Sequence, residues 1–154
     1  MKLLIIRHGE SAPSSLGDFH RSLTPEGADR LRDLGLALQD SVEHPLLLLA
    51  SPLKRAQESA EILQQAWGAG LEMVPWLAPG FALSESIEQL RLRKEPSLGV
   101  VGHLPSVGLL VAYLTEGLPP QEFGMAPGTI VALDLAGWNP GDGKLMWIQM
   151  PSHD

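Results

Sequence analysis

Three short apolar runs, Leu3–Ile6, Leu46–Leu49 and Leu98–Val101, constrain this chain most, because each is strand-length and a helical pattern follows before the next. After Leu46–Leu49 comes a helical stretch from Pro52 to about Trp67, with Ala56, Ala60, Leu63 and Trp67 on one face and Gly68 and Gly70 to stop it. After Leu98–Val101, Pro105 opens a stretch in which Val107, Leu110, Val111 and Leu114 keep helical spacing. After Leu3–Ile6 the residues from 9 to 23 read as a loop. Thr24-Pro25-Glu26 then supplies a helix N-cap, a first-turn proline and a carboxylate suited to the helix dipole. Leu31, Leu34 and Leu38 give that helix an apolar stripe, ending near Asp40. This alternation predicts a three-layer α/β/α domain: a mainly parallel sheet with helices on both faces. Thr129–Leu135 and Leu145–Met150, joined by a loop rich in glycine, add an antiparallel edge. Residues 71 to 82 read as extended and turn-rich, and Ser84 to Arg93 as a short helix.

The residues at the ends of these runs carry the chemistry. Arg7-His8-Gly9-Glu10 follows the first run, Ala50-Ser51-Pro52-Leu53-Lys54-Arg55 the second and Gly102-His103-Leu104-Pro105 the third. Ligands of parallel sheets bind at the carboxyl ends of the strands, so Arg7, His8, Arg55 and His103 are expected along one edge. Ser51 reads as an N-cap and Pro52 as the first helical residue, which puts Lys54 and Arg55 in the first turn. There the positive end of the dipole penalises each cation by about 0.3–1 kcal/mol unless an anion sits among them. Helical side chains lean towards the N-terminus, so Arg55 is directed at the strand ends. Two imidazoles among arginines suit an anion, and phosphoryl transfer in particular. A lone histidine is by default a core or surface residue; the four residues together are not.

Length and charge narrow the remaining classes. The 154 residues are organised as a single domain, 1–154, long enough for a sizeable core. The net charge of −7 argues against nucleic-acid binding, whose phosphate contacts need clustered Lys and Arg. Four of the 11 basic residues, Arg7, Arg21, Lys54 and Arg55, nevertheless lie in or beside the site segments, so a local positive pocket is expected on an acidic protein. No apolar run approaches the ~18 residues of a membrane span. With no signal-peptide pattern and no cysteine, the chain reads as cytoplasmic. His20 reads as a loop residue, His44 and His153 as surface residues, and Glu10 as a local hydrogen-bonding group. Five histidines without clustered carboxylates argue against zinc. Gly137 to Lys144 has the wrong spacing for a phosphate loop, and Leu145 stands where a Ser or Thr is required.

Arg7-His8-Gly9-Glu10-Ser11, Ser51-Pro52-Leu53-Lys54-Arg55-Ala56 and Gly102-His103, in that order and separation, resemble the histidine phosphatase superfamily, which includes the phosphoglycerate mutases. Within it, the compact length, Arg21-Ser22-Leu23-Thr24 and His103-Leu104-Pro105-Ser106-Val107-Gly108 are most similar to small SixA-type phosphohistidine phosphatases. The resemblance implies a phosphoglycerate mutase-like fold, His8 as the nucleophile that becomes phosphorylated, Arg7 and Arg55 on the phosphoryl oxygens, His103 completing the pocket and Arg21 as a further phosphate contact. It implies no cofactor and no metal. Its expected substrate is a phosphorylated protein such as a phosphotransfer domain, or a small phosphorylated molecule; the sequence leaves the oligomeric state open, a monomer included. Larger relatives carry a carboxylate proton donor downstream of the second motif. Here Leu71 to Glu95 offers Glu72, Glu85 and Glu88, none aligning with that segment, and Glu85 is the candidate acid. An alkoxide leaving group needs such a proton, whereas imidazole, with a reference pKa near ~6.5, does not. The lack of a strong acid favours a P–N bond. The competing readings are a small-molecule phosphomonoesterase and a noncatalytic phosphate-binding module.

Overall fold

The computed structural model describes residues 1–116 and 123–152; His153 lies outside them. Strands β1 (Lys2–Arg7), β2 (Leu47–Ala50), β3 (Gly70–Met73), β4 (Ser97–Gly102), β5 (Ile130–Leu135) and β6 (Gly143–Gln149) form one sheet in the order β3-β2-β4-β1-β5-β6. β3, β2, β4 and β1 run parallel to one another. β5 is antiparallel to both β1 and β6, which makes the expected mixed edge.

Helices α1 (Pro25–Ala37), α2 (Lys54–Trp67), α3 (Leu83–Arg91) and α4 (Ser106–Glu116) cover the two faces. Alternation along β1 assigns its side chains. Leu3 and Ile5 join Ile87 and Leu90 of α3 and Val107, Leu110 and Val111 of α4 in one apolar cluster. Leu4 and Ile6 join Leu31 of α1 and Ala56, Ala60 and Leu63 of α2 in the other. The central strands are therefore apolar on both sides, which is why Leu3–Ile6 shows no alternation of apolar and polar residues. Among the described residues no helix is long and apolar enough to cross a membrane.

Several boundaries differ from the sequence reading. Gly70–Met73, read mostly as extended, turn-rich chain, pairs with β2 as an edge strand whose side chains are largely exposed. α1 stops at Ala37, and a 3₁₀ turn at Gln39–Ser41 carries the chain past Asp40. α2 begins at Lys54 with Leu53 in the N-cap position, so Ser51 and Pro52 lie in the turn before it and Ser51 is not the helix cap. The Ser51 hydroxyl accepts from the Leu53 N–H within that turn and reaches the site described below.

α1 also fixes the chain leaving β1. Thr24 accepts from the Gly27 N–H at 2.9 Å, and the Thr24 N–H donates to the Glu10 carbonyl at 2.9 Å. A Cβ at Gly27 would sit 2.7 Å from that carbonyl oxygen, so only glycine lets the helix start approach the turn this closely.

Candidate active site

Strand register brings the two imidazoles together. Arg7 pairs with Gly102 across β1 and β4, so the next residue on each strand is a histidine. The His8 N–H continues the ladder onto the Gly102 carbonyl at 3.1 Å, and the two rings lie 5.1 Å apart between centroids. On the other flank of β4, the Ser51 N–H donates to the Val101 carbonyl at 3.0 Å, which seats the end of β2 beside His103.

The His8 proton is placed by a neighbour. His8 Nδ1 is 2.7 Å from the Gly9 carbonyl oxygen, an acceptor only, so Nδ1 carries the proton and Nε2 keeps its lone pair. The Arg55 Nε–H donates to that Nε2 at 3.3 Å. The Gly9 peptide is held in turn: its N–H donates at 2.9 Å to Ser59 Oγ, which donates at 2.7 Å to the Arg55 carbonyl on α2. The Ser51 hydroxyl lies 2.7 Å from His103 Nε2 and accepts from the Leu53 N–H at 3.2 Å. Where that hydroxyl donates to Nε2, the ring proton of neutral His103 lies on Nδ1. This Nδ1 is buried and has no partner in the protein. A buried donor of this kind costs about 1–3 kcal/mol unless something accepts from it, which marks the place for a ligand oxygen.

Both imidazoles are held neutral. Burial, then the charges of Arg55 and Arg7, bring His8 down to about 4 despite the opposing effect of the Gly9 hydrogen bond. Burial, then His8 and Arg55, bring His103 down to about 3. His8 thus retains a nucleophilic nitrogen at neutral pH.

The arginines complete a cavity of about 370 Å³ lined by Arg7, His8, Arg21, Arg55 and His103 together with Gly9, Glu10, Ser11, Asp18, Pro79, Leu104 and Pro127. Arg7 is anchored by Nη1 on the Met125 carbonyl at 2.8 Å, while its buried Nε has no partner. Arg55 occupies the first turn of α2, where no acidic residue accompanies it, and is 5% exposed. Lys54 beside it points to solvent. Arg21 donates to Ser11 Oγ at 2.8 Å and to the Ala12 carbonyl at 3.3 Å.

The structure thus brings together five of the six residues singled out from the sequence. Glu85 stands apart, on α3, lining a separate cavity with Glu72, Met73 and Glu88. Two contributors were missed. Asp18 lies in the folded-back loop after β1, which a bridge between Ser11 and Leu23 closes. Its Oδ2 accepts from Arg55 Nη2 at 3.3 Å, its carbonyl from Arg55 Nη1 at 2.8 Å and its Oδ1 from Arg21 Nη1 at 3.2 Å. Asp18 is the anion that the cation at the helix start called for. Its three-residue spacing from Arg21 was the available signal. Ser59 had none, being an ordinary small residue in a helix. Among the described residues no three His, Asp or Glu side chains cluster as metal ligands.

Residues 3–78 match the family model of the histidine phosphatase superfamily (branch 1). Over 98% of its length the chain is 31% identical to phosphohistidine phosphatase SixA of Escherichia coli (strain K12), of which it covers 94%. The chain belongs to the histidine phosphatase superfamily. A SixA homologue of Haemophilus influenzae is 30% identical over 86% of the chain and 87% of the relative. The structure of the protein histidine phosphatase SixA complexed with tungstate superposes with a TM-score of 0.85 at 29% identity, covering 98% of this chain and 97% of that one. A mycobacterial glucosyl-3-phosphoglycerate phosphatase, 17% identical with a TM-score of 0.72 over 98% of this chain and 99% of that one, shares the fold.

Proposed function

We infer that this superfamily member is a phosphohistidine phosphatase that hydrolyses a P–N bond through a phosphohistidine on His8. The carrying observation is the His8 Nε2 lone pair, kept unprotonated by the Gly9 hydrogen bond on Nδ1 and accepting from Arg55 Nε. In the first step Nε2 forms a bond to phosphorus, the P–N bond of the substrate breaks, and its electron pair returns to the departing imidazole. In the second step water attacks phosphorylated His8, phosphate leaves, and Nε2 recovers its lone pair. Arg7 and Arg55 neutralise the equatorial oxygens, and their planar forks match that geometry. His103 Nδ1–H supplies a further donor to the phosphoryl group.

The choice of a P–N bond rests on the leaving group. Among the carboxylates lining the cavity, Asp18 is held in its ionised form by its hydrogen bond to Arg21 and the charge of Arg55, and Glu10 accepts from the Thr24 hydroxyl at 3.0 Å. Asp18 therefore has no proton to give an alkoxide, and Glu10 is engaged by Thr24. Imidazole departs without that help. The 31% identity to a phosphohistidine phosphatase and the tungstate held by a structural relative, an oxyanion of phosphate shape, support the same reading. The substrate in this proposal is a phosphorylated protein of the phosphotransfer type, met in the cytoplasm; the open cavity mouth and the cysteine-free sequence support these two points. The test is parallel turnover of a phosphohistidine protein, free phosphohistidine and a panel of alkyl phosphates. A phosphohistidine protein should be hydrolysed with the highest kcat/KM; preference for an alkyl phosphate would overturn the reading.

A further inference from the structure

A carboxylate is an odd lining for a phosphate pocket, since it repels a phosphate monoester and occupies an arginine that the phosphoryl oxygens need. Asp18 is there nevertheless, with one oxygen on Arg21 and the other on Arg55. It is 64% exposed, at the mouth of the cavity rather than its floor. One guanidinium links its carboxylate to the nucleophile, with Arg55 Nη2 donating to Asp18 Oδ2 and Arg55 Nε donating to His8 Nε2, each at 3.3 Å.

Resting on the phosphohistidine reading above, we propose that Asp18 is a specificity-determining residue whose carboxylate accepts a hydrogen bond from the ring N–H of the substrate's phosphorylated imidazole. In-line attack by His8 places the leaving nitrogen on the side of phosphorus away from His8, towards the mouth. The second ring nitrogen of the substrate then faces outward, where Asp18 stands. When that nitrogen is protonated, the substrate imidazole is cationic. The carboxylate favours this form, the P–N electron pair collapses onto an imidazolium, and neutral imidazole leaves still carrying its outer N–H. No proton changes hands, so an ionised aspartate serves where a phosphomonoesterase needs a protonated acid.

The charged groups facing Asp18 fit that role. Arg21 from its own loop and Arg55 from α2 keep it ionised, and its negative charge is felt as far as His103. The same carboxylate discriminates against ester substrates, which bring an anion and no outward N–H. The pocket thus separates two substrate classes by the charge of the leaving group.

The experiment compares wild type, Asp18→Asn and Asp18→Glu on a phosphohistidine peptide and on an aryl phosphate, each across pH. For Asp18→Asn, kcat/KM on phosphohistidine should fall roughly 10–100-fold, the loss of a charged hydrogen bond to the departing ring. On the aryl phosphate it should rise about two- to fivefold, because an anion has left the pocket. The alkaline limb of the kcat profile on phosphohistidine should move down by about one pH unit, since the bound substrate imidazolium has lost its counter-charge. Asp18→Glu should recover part of the phosphohistidine activity. Parallel falls on both substrates would mean that Asp18 only holds Arg55, and parallel rises that it only obstructs the pocket; either overturns the proposal. So does an unchanged ratio with an unmoved pH limb. Failure of the phosphohistidine reading is distinct: wild type itself would then turn over the aryl phosphate and leave the peptide intact.

Discussion

The two buried imidazoles make folding stability depend on pH in a window that no other group described in the site shares. His8, 8% exposed, falls from the ordinary 6.5 to about 4 on folding, and His103, 4% exposed, to about 3. A folded pKa below the unfolded one means that the unfolded chain takes up protons first. Stability is therefore complete above about pH 6.5 and is lost as the pH falls towards the folded values. Between pH 7 and pH 5 this loss is about 2 kcal/mol for His8, the unfolded imidazole being mostly protonated at pH 5 and the folded one mostly neutral. His103 contributes a similar amount. Together that is about 4 kcal/mol, a large part of the 5–15 kcal/mol that such a domain commands. For a chain of this length, a loss of that size lowers the melting temperature by roughly 10 °C. The depressed carboxylates Asp18, Glu72 and Asp134 follow the same sign but titrate below this window. Calorimetry of wild type, His8→Asn and His8→Asn/His103→Gln at pH 5 and pH 7 measures it. Asparagine retains a donor for the Gly9 carbonyl, and glutamine retains an acceptor for Ser51. The wild-type drop should be about halved in the single variant and nearly absent in the double. An equal drop in all three would refute the claim that the imidazoles are buried neutral.

Three further expectations follow from particular contacts. Arg55→Ala should weaken phosphate or vanadate binding about 10–100-fold, read by titration calorimetry, because it removes the donor facing His8 Nε2. Ser59→Ala should cost about 1–3 kcal/mol in chemical denaturation and lower kcat, because the buried Gly9 N–H loses its acceptor and the peptide that orients His8 is freed. Glu85→Gln should leave turnover of phosphohistidine and aryl phosphates within twofold of wild type, since Glu85 lines a different cavity; a steeper dependence on leaving-group pKa in this variant would restore Glu85 as an acid.

What was legible in the sequence was set by local rules. Apolar runs followed by helical spacing gave the parallel strands, and parallel strands place their last residues along one edge, so the meeting of Arg7, His8, Arg55 and His103 was readable without coordinates. The paired register of Arg7 and Gly102 explains why the two histidines are neighbours. β3 was not readable as a strand because its residues are mostly exposed and its pairing is templated by β2. The start of α2 was misread because Ser51 carries a good capping side chain, yet its hydroxyl is taken by His103 and by the turn before the helix. Ser59 was invisible as a site residue and Asp18 showed only its spacing from Arg21, because the contacts of Asp18 to Arg55 and of Ser59 to Gly9 span 37 and 50 positions of sequence and depend on the loop folding back over the strand ends. Propensity and periodicity carry no information at that range.

The central claim is that His8 itself carries the phosphoryl group between substrate and water. The direct measurement is rapid quench of the enzyme with a phosphohistidine peptide labelled in its phosphate, followed by mapping of the label under alkaline conditions that preserve phosphohistidine. Wild type should carry an acid-labile, alkali-stable phosphate on His8 that forms and decays at rates consistent with turnover, and His8→Ala should carry none and release no phosphate. Full turnover without label on His8, or undiminished phosphate release by His8→Ala, would contradict the account.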